Sequence, residues 1–341
     1  MISQETRQLD RPKSHTIRFL GWAIMVLLLS ATCITPLLAE EIKTVTLAAG
    51  SVDGLAAAIA EAGPGGRVII ESGLHRESGS VLITSPVSLI GEPNAIIEST
   101  TPTDPNGGRP TVITAALHIQ GTRDVSVDRL WFRPPADSLS STAILIEDSP
   151  KVIIRNNKIT DHEYGIIIQR GDHAEIIGNR IQNMDTHGIV VINGQHTRIV
   201  GNEIKESGAF GIWACDYDGE CLYNTLSQNF IGIVLCRVNE GSFEISGKLD
   251  GASSSANGWR VTLNESYDSF IGYAVDDGAF NNYLFGNGAS GNDLYDIDFW
   301  FDTHDNVLVQ GPVKDALLIH RCGANNVIKG DVTLSDDSCD M

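Results

Sequence analysis

The sequence predicts an all-β solenoid, a stack of parallel coils with one sequence repeat per coil. Asn157, Asn179, Asn202 and Asn224 recur at intervals of 22, 23 and 22 residues. A Gly followed by Ile keeps step with them, at Gly165, Gly188, Gly211 and Gly232. Between these anchors lie short β-branched runs split by turn residues. Such a run is too short to bury an apolar face alone, so repeats of this length must stack, each strand pairing in parallel with its equivalent in the next coil.

The stretch Lys151 to Arg237 resembles the repeats of the pectin-lyase-like, right-handed parallel β-helix superfamily, in which turn asparagines stack as a ladder. The four asparagines fit such a ladder. The resemblance implies a right-handed, single-stranded parallel β-helix with an N-terminal capping helix. It implies no one reaction, because this scaffold carries lyases, hydrolases, esterases, epimerases, phage tail parts and non-catalytic binders.

Taken in order, residues 1–39 read as a secretory signal. Arg7, Arg11, Lys13 and Arg18 precede an apolar run from Phe19 to Leu29, and Leu37-Leu38-Ala39 offers a cleavage site. The apolar run is short for a membrane span. Residues 40–341 form one β-helix domain, with repeats clearest over 143–310. Val45–Leu47 is a short strand, and Asp53–Ala62 an Ala-rich amphipathic helix stopped by Gly63-Pro64-Gly65-Gly66. A helix here blunts the unpaired backbone at the end of the stack. Strands follow at Arg67–Glu71, Ala115–Ile119, Val125–Phe132 and Ala143–Ile146, with a turn-rich excursion at 100–111. Beyond Arg237, Gly247 takes the place of a ladder asparagine and Gly258-Trp259 that of Gly-Ile. Asp250–Asn257 reads as a mobile loop. Asn264 with Gly272, and then Asn287, resume the register.

The formal net charge is −19, and removal of the basic leader makes it more acidic still. Such a surface repels nucleic acid and anionic membranes, and repels polyanionic sugars unless a cation intervenes. Five cysteines follow the leader. Cys215 and Cys236 each lie four residues after a repeat Gly and are stacked neighbours, and Cys322 and Cys339 staple the C-terminal end. Export permits disulfides, and the odd count leaves one thiol free without saying which.

Chemistry on a stack of coils comes from columns of outward side chains. After each repeat Gly, positions +1 and +3 are apolar and form the core; position +2 reads Ile167, Val190, Trp213, Val234 and faces out. Trp213 is a candidate platform for a sugar ring, or ordinary packing under a loop. Before the glycines, His162, Asp185 and His187 gather on two coils as a candidate acid–base set, an Asp beside a His raising its basicity; polar turn formers are the alternative. Five residues after the Gly come Arg170, Asn193, Asp216 and Arg237. From this column Arg170, Asn193 and Arg237 are candidate substrate contacts, an Arg being suited to a uronate carboxylate. Asp216, Asp218 and Glu220 crowd one short loop and suit Ca²⁺. Asp276-Asp277, Asp296, Asp298, Asp302 and Asp305 form a second acidic zone near Trp300 and His304, where two carboxylates at the right separation run glycoside hydrolysis.

The signatures of individual enzyme families are mostly missing. There is no polygalacturonase Gly-His-Gly and no pectate-lyase Arg-x-Pro-x-x-Arg. Asp302-Thr303-His304-Asp305 is only faintly similar to the Asp-Pro-His-Asp of mannuronan C5-epimerases, and no role is carried over. The expected function is action on an extracellular or envelope polysaccharide, by lyase, epimerase or hydrolase chemistry, in a secreted or periplasmic protein. The rival is a non-catalytic glycan-binding or assembly scaffold. An enzyme should show His and carboxylate converging beside Trp213, and a binder an aromatic track without them.

Overall fold

One repeat shows how a coil closes. Ile153–Arg155 is a strand, Lys158–Thr160 the next and His162–Gln169 the third, before Glu175–Ile177 begins the following coil. The corners turn at residues with positive φ, Asn156 at 55° and Asp161 at 65°, a conformation that short polar side chains tolerate. The computed structural model describes residues 42–100, 114–136, 138, 140–238, 254–300, 302–310, 317–335 and 339. The expected leader at 1–39, nearly all of the 100–111 excursion, Gly247 and the 250–253 half of the expected loop lie outside these. The described residues belong to one compact unit, Ile42–Met341.

Among the described residues the coils build three long parallel sheets. The first has 12 strands, from Thr44–Leu47 to Val327–Lys329; the second has nine, from Gly73–Glu77 to Gly288–Ser290; the third has 11, from Val81–Ile83 to Val332–Leu334. Every described pairing between coils is parallel. One short antiparallel pair, Arg237–Val238 with Ser254–Ser255, stands outside the stack.

Inside, like side chains stack on like. Ile154, Ile176, Ile199, Cys221 and Val261 form one column of the first sheet, and all are buried in a single core. Gly165, Gly188 and Gly211 are required by close approach. A Cβ at Gly188 would stand 2.5 Å from the Gly211 carbonyl and 2.6 Å from Ile204 Cγ2.

The asparagine ladder runs along the corner between the first and second sheets. The backbone N–H of Asn157 donates to Asn179 Oδ1 at 3.0 Å, that of Asn179 to Asn202 at 2.8 Å, and that of Asn202 to Asn224 at 2.9 Å. Each side-chain amide adds a bond to the next Oδ1 and another to a carbonyl of the preceding coil, such as Asn202 to Ile176 at 2.8 Å. These polar groups are buried, and the ladder satisfies them. Shorter ladders run at another corner through Asn282, Asn306 and Asn326.

The expected register beyond Arg237 is corrected by the same bonds. Asn224 donates directly to Asn264 at 2.9 Å, so no coil carries Gly247 as a ladder residue. Trp259 does not follow a repeat Gly on the third sheet. It is a fully buried core residue just before Arg260–Thr262 of the first sheet, with its indole N–H on the Asp216 carbonyl at 3.0 Å. The described half of the expected loop is not free: Ser254–Ser255 pairs with Arg237–Val238, Ala256 is buried in the core and Asn257 bridges Tyr217 and Phe280.

The helix is Leu55–Ala62, with Leu55, Ala58, Ile59 and Ala62 buried; Gly63 ends it, its N–H bonded to the Ile59 carbonyl. Cys215 pairs with Cys236 and Cys322 with Cys339, and the remaining thiol among the described residues, Cys221, is buried in the core.

Candidate active site

Strand alternation turns one set of third-sheet residues outward. Across the stack the register aligns Leu82, His118, Leu145, Ile167, Val190, Trp213, Val234, Ala274, Asp298 and His320. The middle of this column is apolar and, though it faces away from the core, it is buried in a second apolar cluster with Ile192 and Cys215. Polar residues stand at His118 near one end and at Asp298 and His320 at the other.

His187 stands in that middle, between Tyr164 at 5.7 Å and Phe210 at 4.9 Å, with Trp213 at 5.0 Å. Trp213 is half-buried. No carboxylate bonds the imidazole. Its Nδ1 accepts the Phe210 N–H at 3.2 Å, and burial pushes its pKa down to about 4. The expected triad is thus corrected. Asp185 does meet His162 through backbone, N–H to carbonyl at 3.0 Å, but its side chain is exposed at the turn. His162 is buried, bonded through Nδ1 to the Thr160 carbonyl at 2.8 Å, and burial lowers it to about 4 as well. The three residues stack as a backbone and diverge as side chains.

The other expected contacts are also dispersed. Arg170 is clasped by Asp148, with a second bond at 2.9 Å, and lies 3.5 Å from Glu147, so its charge is met within the protein. Asn193 sits at a corner with φ 54°. Arg237 is exposed, and its charge acts on Asp277.

The expected Ca²⁺ loop does not gather its three carboxylates. Asp216 is fully buried, with Oδ2 3.3 Å from the Thr197 hydroxyl, and burial raises its pKa to about 8. Asp218 is an exposed corner residue. Glu220 points from the first sheet into a surface ladder, accepting from Arg198 at 3.2 Å and Arg260 at 3.4 Å. Alternation sends neighbouring strand residues to opposite faces, which a cluster read along the chain overlooks.

Titratable groups do converge at the C-terminal end of the third sheet. Asp298 Oδ1 meets His320 Nδ1 at 2.8 Å. The ring of Tyr295 stacks on His320 at 4.9 Å. Asp276 lies one coil earlier and two residues further along. With ~4.8 Å between strands and ~3.3 Å per residue, the two acids sit on Cα atoms about 8 Å apart. Trp300 occupies the position beside Asp276 on the next coil, its N–H on the Val275 carbonyl. Burial raises Asp276 to about 7, helped by the charges of Asp277, Asp302 and Asp298 and opposed by the Asp277 N–H bonded to it at 2.7 Å. Burial also raises Asp298, against the bond from His320.

The sequence reading found this acidic zone but paired it with His304. That imidazole instead bonds Asp305 at 2.9 Å and stacks on Phe280 at a corner. Asp296 braces the backbone, accepting from Leu318 at 3.0 Å and Asn292 at 2.9 Å. His320 was missed, although its 22-residue distance from Asp298 is the repeat period itself.

Residues 115–249 match the family described as "Right handed beta helix region". The fold is a right-handed parallel β-helix. Among solved structures, this β-helix is similar to an alginate lyase from Paenibacillus sp. str. FPU-7, with 12% identity over 85% of this chain and 99% of that one and a TM-score of 0.48. It is similar to a periplasmic alginate epimerase, with 13% identity over 79% and 77% and a TM-score of 0.46. It is also similar to the Dettilon tailspike protein, with 14% identity over 84% and 68% and a TM-score of 0.46. No curated protein matches the chain.

Proposed function

We propose that this β-helix acts on a polysaccharide, as a glycoside hydrolase of uncharged glycans, and that the acidic end of the third sheet is its active site. The observation that carries the reading is Asp276, a carboxyl held up to about 7 by burial among Asp277, Asp302 and Asp298. A carboxyl that keeps its proton near neutral pH can deliver it to a glycosidic oxygen. Asp298, oriented by His320, then serves as the base that draws a proton from water. The two acids stand on adjacent coils rather than on one strand, and an inverting enzyme holds its water between two such carboxyl groups. Trp300 offers a ring face beside Asp276 for sugar stacking.

The uncharged substrate follows from charge. Eliminative cleavage of a uronate needs a cation on its carboxylate, and here Arg237, whose charge acts on Asp277, is outnumbered by four acids in a chain of net charge −19. Export fits the same picture. The basic-then-apolar leader and two disulfides point to an oxidising compartment, and no helix of the described residues is long and apolar enough to cross a membrane.

A panel of neutral and uronate polysaccharides tests this, read by reducing ends and by the absorbance of unsaturated products. Reducing ends from a neutral glycan, lost in Asp276→Asn, are expected. Unsaturated products would overturn hydrolysis in favour of elimination. The ring cluster of Tyr164, His187, Phe210 and Trp213 favours a second reading as a glycan binder. Binding without cleavage, unchanged in Asp276→Asn, would select it.

A further inference from the structure

We infer that the Cys322–Cys339 disulfide masks a metal site: as a dithiol, Cys322 and Cys339 together with His320 form a three-ligand cradle for a thiophilic divalent cation of the Zn²⁺ type. The ligand atoms of these three residues lie within 4.8 Å of one another, and no other group of three or more among the described residues does so. His320 is already aimed. Its Nδ1 is bonded to Asp298 Oδ1 at 2.8 Å, which turns Nε2 to within 3.3 Å of Cys322 Sγ. A carboxylate behind a histidine in this way fixes the ring and raises the basicity of the ligating nitrogen in metal sites. Here Asp298 stands one coil before His320 on the neighbouring strand, so the sheet register holds the arrangement.

The surroundings suit a cation. Two thiolates and a neutral imidazole balance the charge of Zn²⁺, and the acids of the neighbouring coil add negative potential. Cys322 and Cys339 line a surface pocket of about 480 Å³ that also includes Gly323 and Asn326. That pocket leaves space for water as a fourth ligand, the pattern of three protein ligands and one open position. Cys339 is exposed, so a small thiol can reach it, whereas the Cys215–Cys236 bridge is buried.

The chemistry balances with an external thiol. One thiolate attacks Cys339 Sγ, the disulfide breaks, and Cys322 leaves as a thiolate that solvent can protonate. A second external thiol resolves the mixed disulfide. Two electrons pass to the protein, the small thiols leave as their own disulfide, and Zn²⁺ binding releases whatever thiol protons remain. Oxidation reverses the exchange and expels the metal. The site shares Asp298 and His320 with the proposed hydrolase centre but does not depend on that reading.

Calorimetric titration with Zn²⁺, and the cobalt spectrum of the same site, test it on the full chain. The thiol-reduced protein is expected to take up one ion per chain, with thiolate-to-cobalt charge-transfer absorption, and the oxidised protein none. Cys339→Ser should abolish that absorption, and Asp298→Asn should weaken binding by ~10–100-fold, in both cases with the fold intact by circular dichroism. Equal binding by both redox forms, undiminished binding in a Cys322→Ser, Cys339→Ser double variant, or no binding by the reduced protein would each overturn the inference. A protein that binds Zn²⁺ on reduction yet cleaves no glycan leaves the metal site standing and removes the hydrolase.

Discussion

The outward face of the third sheet carries several imidazoles, and two of them, His187 and His320, behave differently. In the middle, His187 sits among Tyr164, Phe210 and Trp213 with no acid in reach. Burial alone acts on it, and it is driven to the neutral form, with a pKa near 4. At the C-terminal end, His320 is bonded to Asp298, and Asp276 nearby holds its proton to about 7. Two places on one face of the same scaffold therefore hold their imidazoles differently, according to whether a titratable partner shares the burial. Low dielectric is not sufficient for chemistry. It must act on a pair.

The largest effect that would break this contrast is on turnover. Asp276→Asn should lower kcat by ~10²–10⁴-fold, the range for removing a general acid. His187→Ala and His162→Ala, by contrast, should leave kcat within a few-fold of wild type. Losses of equal size at both places would dissolve the distinction. The pH profile sharpens it, because activity should fall as pH rises through about 7, where Asp276 loses its proton.

The next effect is on the scaffold beneath both places. Asn202 Oδ1 accepts from both the backbone and the side chain of Asn179, at 2.8 and 3.0 Å. Asn202→Ala leaves two buried donors unmet at ~1–3 kcal/mol each. A loss of about 3 kcal/mol or more in denaturant unfolding is expected, and a loss below ~1 kcal/mol would show that the ladder is ornamental.

Smaller effects concern stability against pH. Asp276 binds its proton more tightly folded than unfolded. Its burial therefore costs stability increasingly as pH rises from the ordinary carboxylate range to about 7, and the full cost persists above. Asp276→Asn should thus melt higher than wild type at pH 8 while being nearly inactive, and show little difference at pH 4. Asp216, raised to about 8, should behave likewise over a window reaching one unit higher, without effect on turnover. Thermal melts across that range check both, and an Asp216→Asn variant that melts lower at pH 9 would mean the acid is buried charged.

Much of the fold could be read directly because its signals are periodic. Asn157 through Asn224 and the Gly-Ile pairs repeat every 22 or 23 residues, and the coils they mark are the coils observed. Cys215 and Cys236 pair because the same period stacks them. The reading lapsed where the period was followed too faithfully. Gly247 was counted as a coil because it lay 23 residues on, whereas Asn224 bonds directly to Asn264. The site was harder to see, since two residues of one column can share a backbone bond and still point apart, as His162 and Asp185 do. Asp216, Asp218 and Glu220 were adjacent in sequence and therefore persuasive, yet one is buried, one exposed and one paired with arginines. Asp298 and His320 were separated by a full turn of chain and lacked any local motif.

The Asn224–Asn264 step has a use beyond this molecule. Other neighbours in that ladder are separated by 22 or 23 residues, but this pair spans 40 and makes the same 2.9 Å bond. The coil is thus counted by its corner bonds and not by the length of chain between them. A search for coils in other sequences of this kind should therefore score the corner asparagines and tolerate one long interval between them, rather than demand a fixed period.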